Sequence, residues 1–247
     1  MNAKKSSKDI QTAGEIVYQH LRSSILDLQV KPGQTINISE LSEFLHMSRS
    51  PIRDALIQLA RDDLVTMMPQ KGTIVSKIDI NCARDERFMR SCVEERVLEE
   101  FLDCFRPEHI AKLQDSLSLQ RQMIQKGDTR GFLRADDAFH SVFFIATNHP
   151  SALHNILNMS SHYLRIRLLA LSQQGVCEQS LRQHEDILRL VQSGDRTNIR
   201  STVRLHIVEK KDEEDYMIHQ HPELFTGVAD DNSSRHRIWE DDFLLTV

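Results

Sequence analysis

Between Thr12 and Leu28 the apolar residues Ile16, Val17, Leu21, Ile25 and Leu28 recur at helical spacing, which predicts a helix over residues 12–28. Lys31-Pro32-Gly33 ends it. A short helix is expected from Ser39 to Leu45, with Asn37 or Ser39 as its cap, followed by a tight turn at His46-Met47. A third helix should run from Ser48 to about Asp62. Ser48 is placed to cap it, and Pro51 falls in the first turn, where a missing N–H costs little. Two runs rich in β-formers follow, residues 64–68 and 73–76. They flank Pro69-Gln70-Lys71-Gly72, which is a hairpin signal and the one clear β pattern in the chain.

From Asp79 onward the periodicity is helical throughout. Helices are predicted at roughly 80–104, 107–126, 129–147, 151–172, 178–192 and 196–220. The links between them are short, so sequential helices should pack antiparallel as a bundle. The stretch from Leu157 to Leu171 is apolar nearly all round, which makes its helix central. After His221-Pro222 the chain turns polar and acidic. Its end either stays apart or docks through Trp239, Phe243 and Leu244-Leu245. The expected fold is mainly α: a winged helix-turn-helix over 11–78, an all-α antiparallel bundle over 79–222 and a polar tail over 223–247.

Composition narrows the class. No apolar run reaches the length of a membrane span. Met1 to Gln11 is polar and lysine-bearing, unlike a secretory signal. Cys82, Cys92, Cys104 and Cys177 form no CxxC pair, so they read as reduced thiols of a cytoplasmic protein. The net charge of −5 is unevenly spread. Residues 1–78 carry ten Lys/Arg and eight Asp/Glu, the remainder 21 and 28. A mildly basic head on an acidic body fits a nucleic-acid contact confined to the head.

The third helix carries that contact. Ile52, Ala55, Leu56 and Leu59 form its buried stripe, and Arg49 and Arg53 lie four apart on another face. Arginine matches both the guanine edge in the major groove and backbone phosphate. Ser48, Ser50 and the helix N-terminus suit phosphate, and the hairpin adds Lys71 and the tight-turning Gly72. The stretch Ile16 to Val75 resembles the DNA-binding domain of the GntR family of bacterial regulators. The residues that carry the likeness are Ile25-x6-Pro32-Gly33, Leu41-Ser42-Glu43, the run Met47-Ser48-Arg49-Ser50-Pro51-Ile52-Arg53-Asp54-Ala55-Leu56, Leu59, and Gly72-Thr73-x-Val75. That family usually places a basic residue in the second helix. Ser39-Glu40-Leu41-Ser42-Glu43-Phe44 has none, so no contact is assigned there. Helix-turn-helix proteins commonly bind two half-sites, which predicts a homodimer on double-stranded operator DNA.

A second constellation lies in the body. Asp136 and His140 stand four apart beside the stripe of Phe132, Phe139 and Phe143. A carboxylate facing a core needs a partner or a metal. His184 precedes the Ser193-Gly194-Asp195 turn and His206 follows it, ten and twelve residues from Gly194. At about 1.5 Å rise per residue both stand roughly 15–18 Å from the turn, at one level of a helical hairpin. Three imidazoles and a carboxylate suit one divalent ion such as Zn, Ni, Fe or Mn. Asp137 is the rival to Asp136, His162 a candidate spare ligand, and Arg165 and Arg167 are charges able to face a cavity.

Residues 80–220 also resemble the all-helical FCD ligand-binding domain of the FadR branch of that family, through Asp136-Asp137-Ala138-Phe139-His140, Gln183-His184-Glu185-x-Ile187, Gly194-Asp195 and His206. The resemblance implies a metal held by one Asp and three His. It also implies an effector that is a small carboxylate, such as a sugar acid, with Arg90 of Arg90-x3-Glu94 as a candidate anchor. The full ligand set argues against the metal-free, acyl-CoA-binding relatives. The reading is a ligand-responsive regulator, expected to be a repressor. The competing reading is a metal-dependent enzyme acting on a carboxylic acid.

Overall fold

The computed structural model describes residues 12–68, 72–208 and 211–227. The N-terminal unit is built from α1 (Ala13–Leu26), β1 (Thr35–Ile36), α2 (Ile38–Phe44), α3 (Arg49–Arg61), β2 (Val65–Met68) and β3 (Gly72–Val75). Thr12 caps α1 by accepting the Glu15 N–H, and Asn37 caps α2 by accepting from Ser39 and Glu40. The turn between α2 and α3 is closed by the Ser42 hydroxyl, which donates to the Met47 carbonyl at 2.6 Å. His46 within it adopts a φ of 52°. Val17, Leu21 and Ile25 of α1 meet Ile52, Leu56 and Leu59 of α3 in one core, closed below by Leu64, Val65 and Val75 of the wing. β3 pairs antiparallel with β2 and also with β1. Two residues are too few to show a period, so β1 has no signature in the sequence.

The C-terminal unit comprises β4 (Ile78–Asp79), α4 (Ile80–Cys104), α5 (Pro107–Lys126), α6 (Thr129–Ala146), α7 (Pro150–Met159), α8 (Ser161–Leu171), α9 (Val176–Ser193), α10 (Arg196–Val208), α11 (Lys211–Gln220) and β5 (Phe225–Thr226). The fold is thus mainly α, a winged helix-turn-helix followed by a helical bundle. The bundle core joins Leu98 and Phe101 of α4, Leu113 and Leu117 of α5, Phe139 and Phe143 of α6, Ile187 and Val191 of α9, and Val203 of α10. Left-handed Gly127 and Gly194 end α5 and α9, so each chain reversal falls where a residue without Cβ accepts it.

The structure departs from the periodicity in two places. The helix expected over 151–172 is two helices, broken at Ser160 (φ −93°, ψ 42°). There the Ser160 hydroxyl donates back to the Ile156 carbonyl at 2.5 Å, a local bond that competes with the helical ladder. The break also exposes the amides that begin α8, and a buried carboxylate takes them: Glu86 accepts the N–H of Tyr163 at 2.7 Å and of His162 at 3.5 Å. The helix expected over 196–220 is seen as α10 and α11, with residues 209–210 between them outside the described residues. Second, the segment after Pro222, expected to begin a polar tail, returns to the domain junction. β5 pairs parallel with β4, and Phe225 is buried beside Ile78, Tyr163 and Met217. Trp239, Phe243, Leu244 and Leu245 lie outside the described residues.

The two units touch through specific contacts. Both Nε and a terminal nitrogen of Arg130 on α6 donate to the Asp27 carbonyl, at 3.1 and 2.8 Å. Leu28 packs against Phe132, Leu133, Leu168 and Leu171. Arg165 on α8, with no exposed surface, donates to the Ser76 carbonyl at 2.7 Å, and His162 Nδ1 accepts the Asp79 N–H at 2.9 Å.

Candidate functional site

In the N-terminal unit, Arg49 opens α3 and Arg53 lies one turn on; Ser48, Arg49, Ser50 and Arg53 are all exposed. Neither arginine has an ion-pair partner among the described residues. Ser48 occupies the N-cap position but makes no side-chain cap bond, which leaves its hydroxyl and the first amides of α3 facing solvent. Gly72 starts β3 at φ +91°, a conformation that L side chains rarely adopt. Lys71 lies outside the described residues.

In the C-terminal unit four buried side chains from three helices converge. Asp136 and His140 come from α6, His184 from α9 and His206 from α10, with one potential ligand atom of each within 4.8 Å of all the others. His184 Nε2 is 3.0 Å from His206 Nε2, which is 3.3 Å from His140 Nε2. Asp136 Oδ1 is 3.5 Å from His184 Nε2. The rings are fixed by packing: Phe139 stacks on His184, centroids 4.6 Å apart, and His140 on His206 at 5.3 Å.

The opposite ring nitrogens decide what this cluster can do. His184 Nδ1 meets Gln120 Oε1 at 2.8 Å, and His206 Nδ1 meets Gln183 Oε1 at 2.8 Å. His140 Nδ1 lies 2.6 Å from Glu94 Oε2, though off the line of a well-directed hydrogen bond. All three partners are acceptor oxygens, so the Nδ1 atoms carry the protons and the three Nε2 lone pairs point at one another. Burial holds His184 at about 3, well below its ordinary value, so it is neutral near pH 7. Burial alone would raise the Asp136 carboxyl. Arg167, then His184, His140 and Arg90, outweigh that and keep it ionised. Three facing lone pairs and an anion repel unless a cation sits among them. Tetrahedral bonds of about 2.0–2.1 Å imply ligand separations of roughly 3.3 Å, close to those found. The residues present therefore fit a divalent metal, with Glu94, Gln120 and Gln183 orienting the ligands.

Beside the cluster is a cavity of about 50 Å³. Asp136 and His206 form its floor, and Arg87, Arg90, Tyr163 and Arg167 line one side. Arg90 is buried, with its Nε donating to Glu94 at 2.5 Å. Arg167 pairs with Asp136 and, at 2.7 Å, with Asp137. Asp137 is thereby spoken for outside the cluster. His162, a candidate spare ligand from the sequence, instead faces the junction with Arg165. Of the two arginines on α8, only Arg167 lines the cavity. Arg87 and Tyr163 had no distinguishing pattern. Gln120 did have one: it continues the stripe of Leu113, Ser116 and Leu117 as a polar residue with no exposed surface.

The arrangement is that of a winged helix-turn-helix unit followed by a separate helical unit with a buried polar cluster. The profile of the bacterial regulatory proteins of the gntR family matches residues 13–75, and that of the FCD domain matches residues 87–209. A helix-turn-helix transcriptional regulator encoded in an unstable DNA locus of Streptomyces ambofaciens is 30% identical over 226 residues, covering 91% of this chain and 95% of that one. The transcriptional repressor RspR of Escherichia coli K12 is 28% identical over 199 residues, 81% and 87% of the two chains. Among solved structures, E. coli McbR/YncC superposes with a TM-score of 0.67 at 18% identity, over 86% of this chain and all of that one. The chain belongs to the GntR family of bacterial transcription regulators and carries an FCD domain. Its relatives regulate transcription and are not enzymes, so the enzyme reading falls away.

Proposed function

We propose that the chain is a metal-containing, carboxylate-responsive repressor that acts as a homodimer in the cytoplasm. No helix among the described residues is long and apolar enough to cross a membrane. Arg49 and Arg53 read base edges in the major groove, while Ser48, Ser50 and the start of α3 hold phosphate and Lys71 and Gly72 approach from the wing. Asp136, His140, His184 and His206 hold one divalent ion of the Zn, Ni, Fe or Mn type. When bound, that ion supplies a positive centre with room for an oxygen ligand. Arg90 is the second anchor for the effector carboxylate. The repressor sense follows the name of RspR and is carried over as a proposal.

α8 supplies a path between the sensor and the head. Tyr163 and Arg167 line the cavity, whereas His162 and Arg165 hold Asp79 and the Ser76 carbonyl at the exit of the wing. An occupant that binds one placement of α8 better than another shifts the head with it.

The single observation that carries this reading is the convergence of three Nε2 atoms whose Nδ1 atoms all face acceptor oxygens. Elemental analysis of protein purified without chelator should find about one transition metal per chain, lost in His184→Ala or His206→Ala. The same variants should still bind DNA selected from a random-sequence library but lose the response to carboxylates. Full metal content and full response in both variants would refute the assignment.

A further inference from the structure

The cavity beside the four-ligand cluster carries information about its occupant that the family does not supply. Each arginine of its wall already faces a carboxylate of this chain. Arg87 pairs with Glu214 at 3.1 Å, Arg90 with Glu94 at 2.5 Å, and Arg167 with Asp137 at 2.7 Å as well as with Asp136. These partners are largely buried, so the pairs are poorly screened. Glu214 also pairs with Arg84 at 2.6 Å, so four arginines share Glu214, Glu94, Asp137 and Asp136. These charges cancel, so a divalent ion beside Asp136 leaves positive charge for a carboxylate of the occupant to meet.

The rest of the wall is apolar: Ile166, Ala170, Leu171, Val176, Ile207 and Met217. Tyr163 and Ser180 are its neutral polar side chains. A polyhydroxy chain exchanges several water hydrogen bonds on entering and finds few partners here. Each unmet hydroxyl weakens binding, whereas each methylene laid on this wall strengthens it. We infer that the effector is a carboxylate with a short apolar tail, aliphatic or aromatic, rather than a sugar acid. Its carboxylate lies toward Asp136, His206 and Arg90, and its tail runs along α8 between Ile166 and Ala170 toward Met217 of α11. This rests on the carboxylate-sensing reading above and narrows it.

The test is calorimetric titration of the full-length, metal-loaded protein with acetate, butyrate, hexanoate, benzoate and gluconate. Affinity should rise by about fourfold per methylene from acetate to hexanoate until the cavity is full. Hexanoate or benzoate should bind at least tenfold more tightly than gluconate. Ala170→Leu, which narrows the tail channel, should weaken hexanoate severalfold while leaving acetate nearly unchanged. Should that variant not fold, the length series on the unaltered protein decides alone. Gluconate binding as tightly as hexanoate overturns the inference and leaves carboxylate sensing standing. Absence of heat and thermal shift with every carboxylate overturns both.

Discussion

Arg165 offers the sharpest probe of how the two units are joined. It is fully buried and donates to the Ser161 carbonyl at 3.0 Å, the Ser76 carbonyl at 2.7 Å and His162 Nδ1 at 3.1 Å. Burial pulls its pKa down to about 10, with Glu86 opposing, so it is charged at neutral pH. His162 is held at about 4, first by burial and then by Arg165, and is therefore a neutral acceptor shared between Arg165 and the Asp79 N–H. Arg165→Met keeps much of the volume and removes all three bonds. Charge-assisted bonds contribute about 1.5–3 kcal/mol each, and the relieved desolvation of the guanidinium offsets part of their loss. A net destabilisation of about 3 kcal/mol follows, or roughly 6–12 °C in Tm for a chain of this size. Only the Ser76 bond crosses to the wing. Hydrogen exchange at residues 76–79 should therefore accelerate more than exchange in the core of α4. Carboxylates should still bind the variant but alter its DNA affinity less. A Tm within about 2 °C of the unaltered protein, with unchanged exchange at 76–79, would show that Arg165 is not the fastening.

Two further outcomes follow from the same geometry. Replacing Arg49 and Arg53 together by alanine should cost about 1–3 kcal/mol per base-reading arginine and flatten sequence preference, read by fluorescence anisotropy at fixed salt; unchanged affinity and preference would remove α3 from the interface. Glu86 is raised to about 7, because burial outweighs the Tyr163 and His162 amides and Arg165, with Asp63 adding to the rise. The folded state thus keeps a proton that the unfolded chain releases, so Glu86 costs stability increasingly from about pH 4.5 to 7 and evenly above. Glu86→Gln should therefore be more stable than the unaltered protein at pH 8, by about 1–3 kcal/mol, and nearly equal at pH 4.5 in denaturant titrations. An equal difference at both pH values would exclude proton linkage at this site.

The helical periodicity of α1, α3, α5, α6 and α9 was legible because each buries a stripe, and a stripe is a one-dimensional pattern. The Asp136–His140 pair and the matched heights of His184 and His206 were legible for a similar reason. Polar residues within apolar stripes mark themselves, and a glycine-terminated hairpin converts residue counts into heights. What lies across the bundle had no such marker. Gln120 marks itself in the stripe of α5, yet that it backs His184 while Glu94 and Gln183 back His140 and His206 depends on how α4, α5, α6, α9 and α10 pack, which no spacing encodes. The break at Ser160 was hidden because the polar and apolar residues of Leu157 to Leu171 do not separate onto two faces, and a stretch without a distinct polar face gives no sign of a change in direction. Which arginine of α8 meets the cavity and which meets the wing was likewise open, since Arg165 and Arg167 are two residues apart and both flanks are buried. Only packing separates them: α8 lies between residues 76–79 and the helices that carry Asp136, His184 and His206, so opposite sides of one helix meet the N-terminal unit and the cavity.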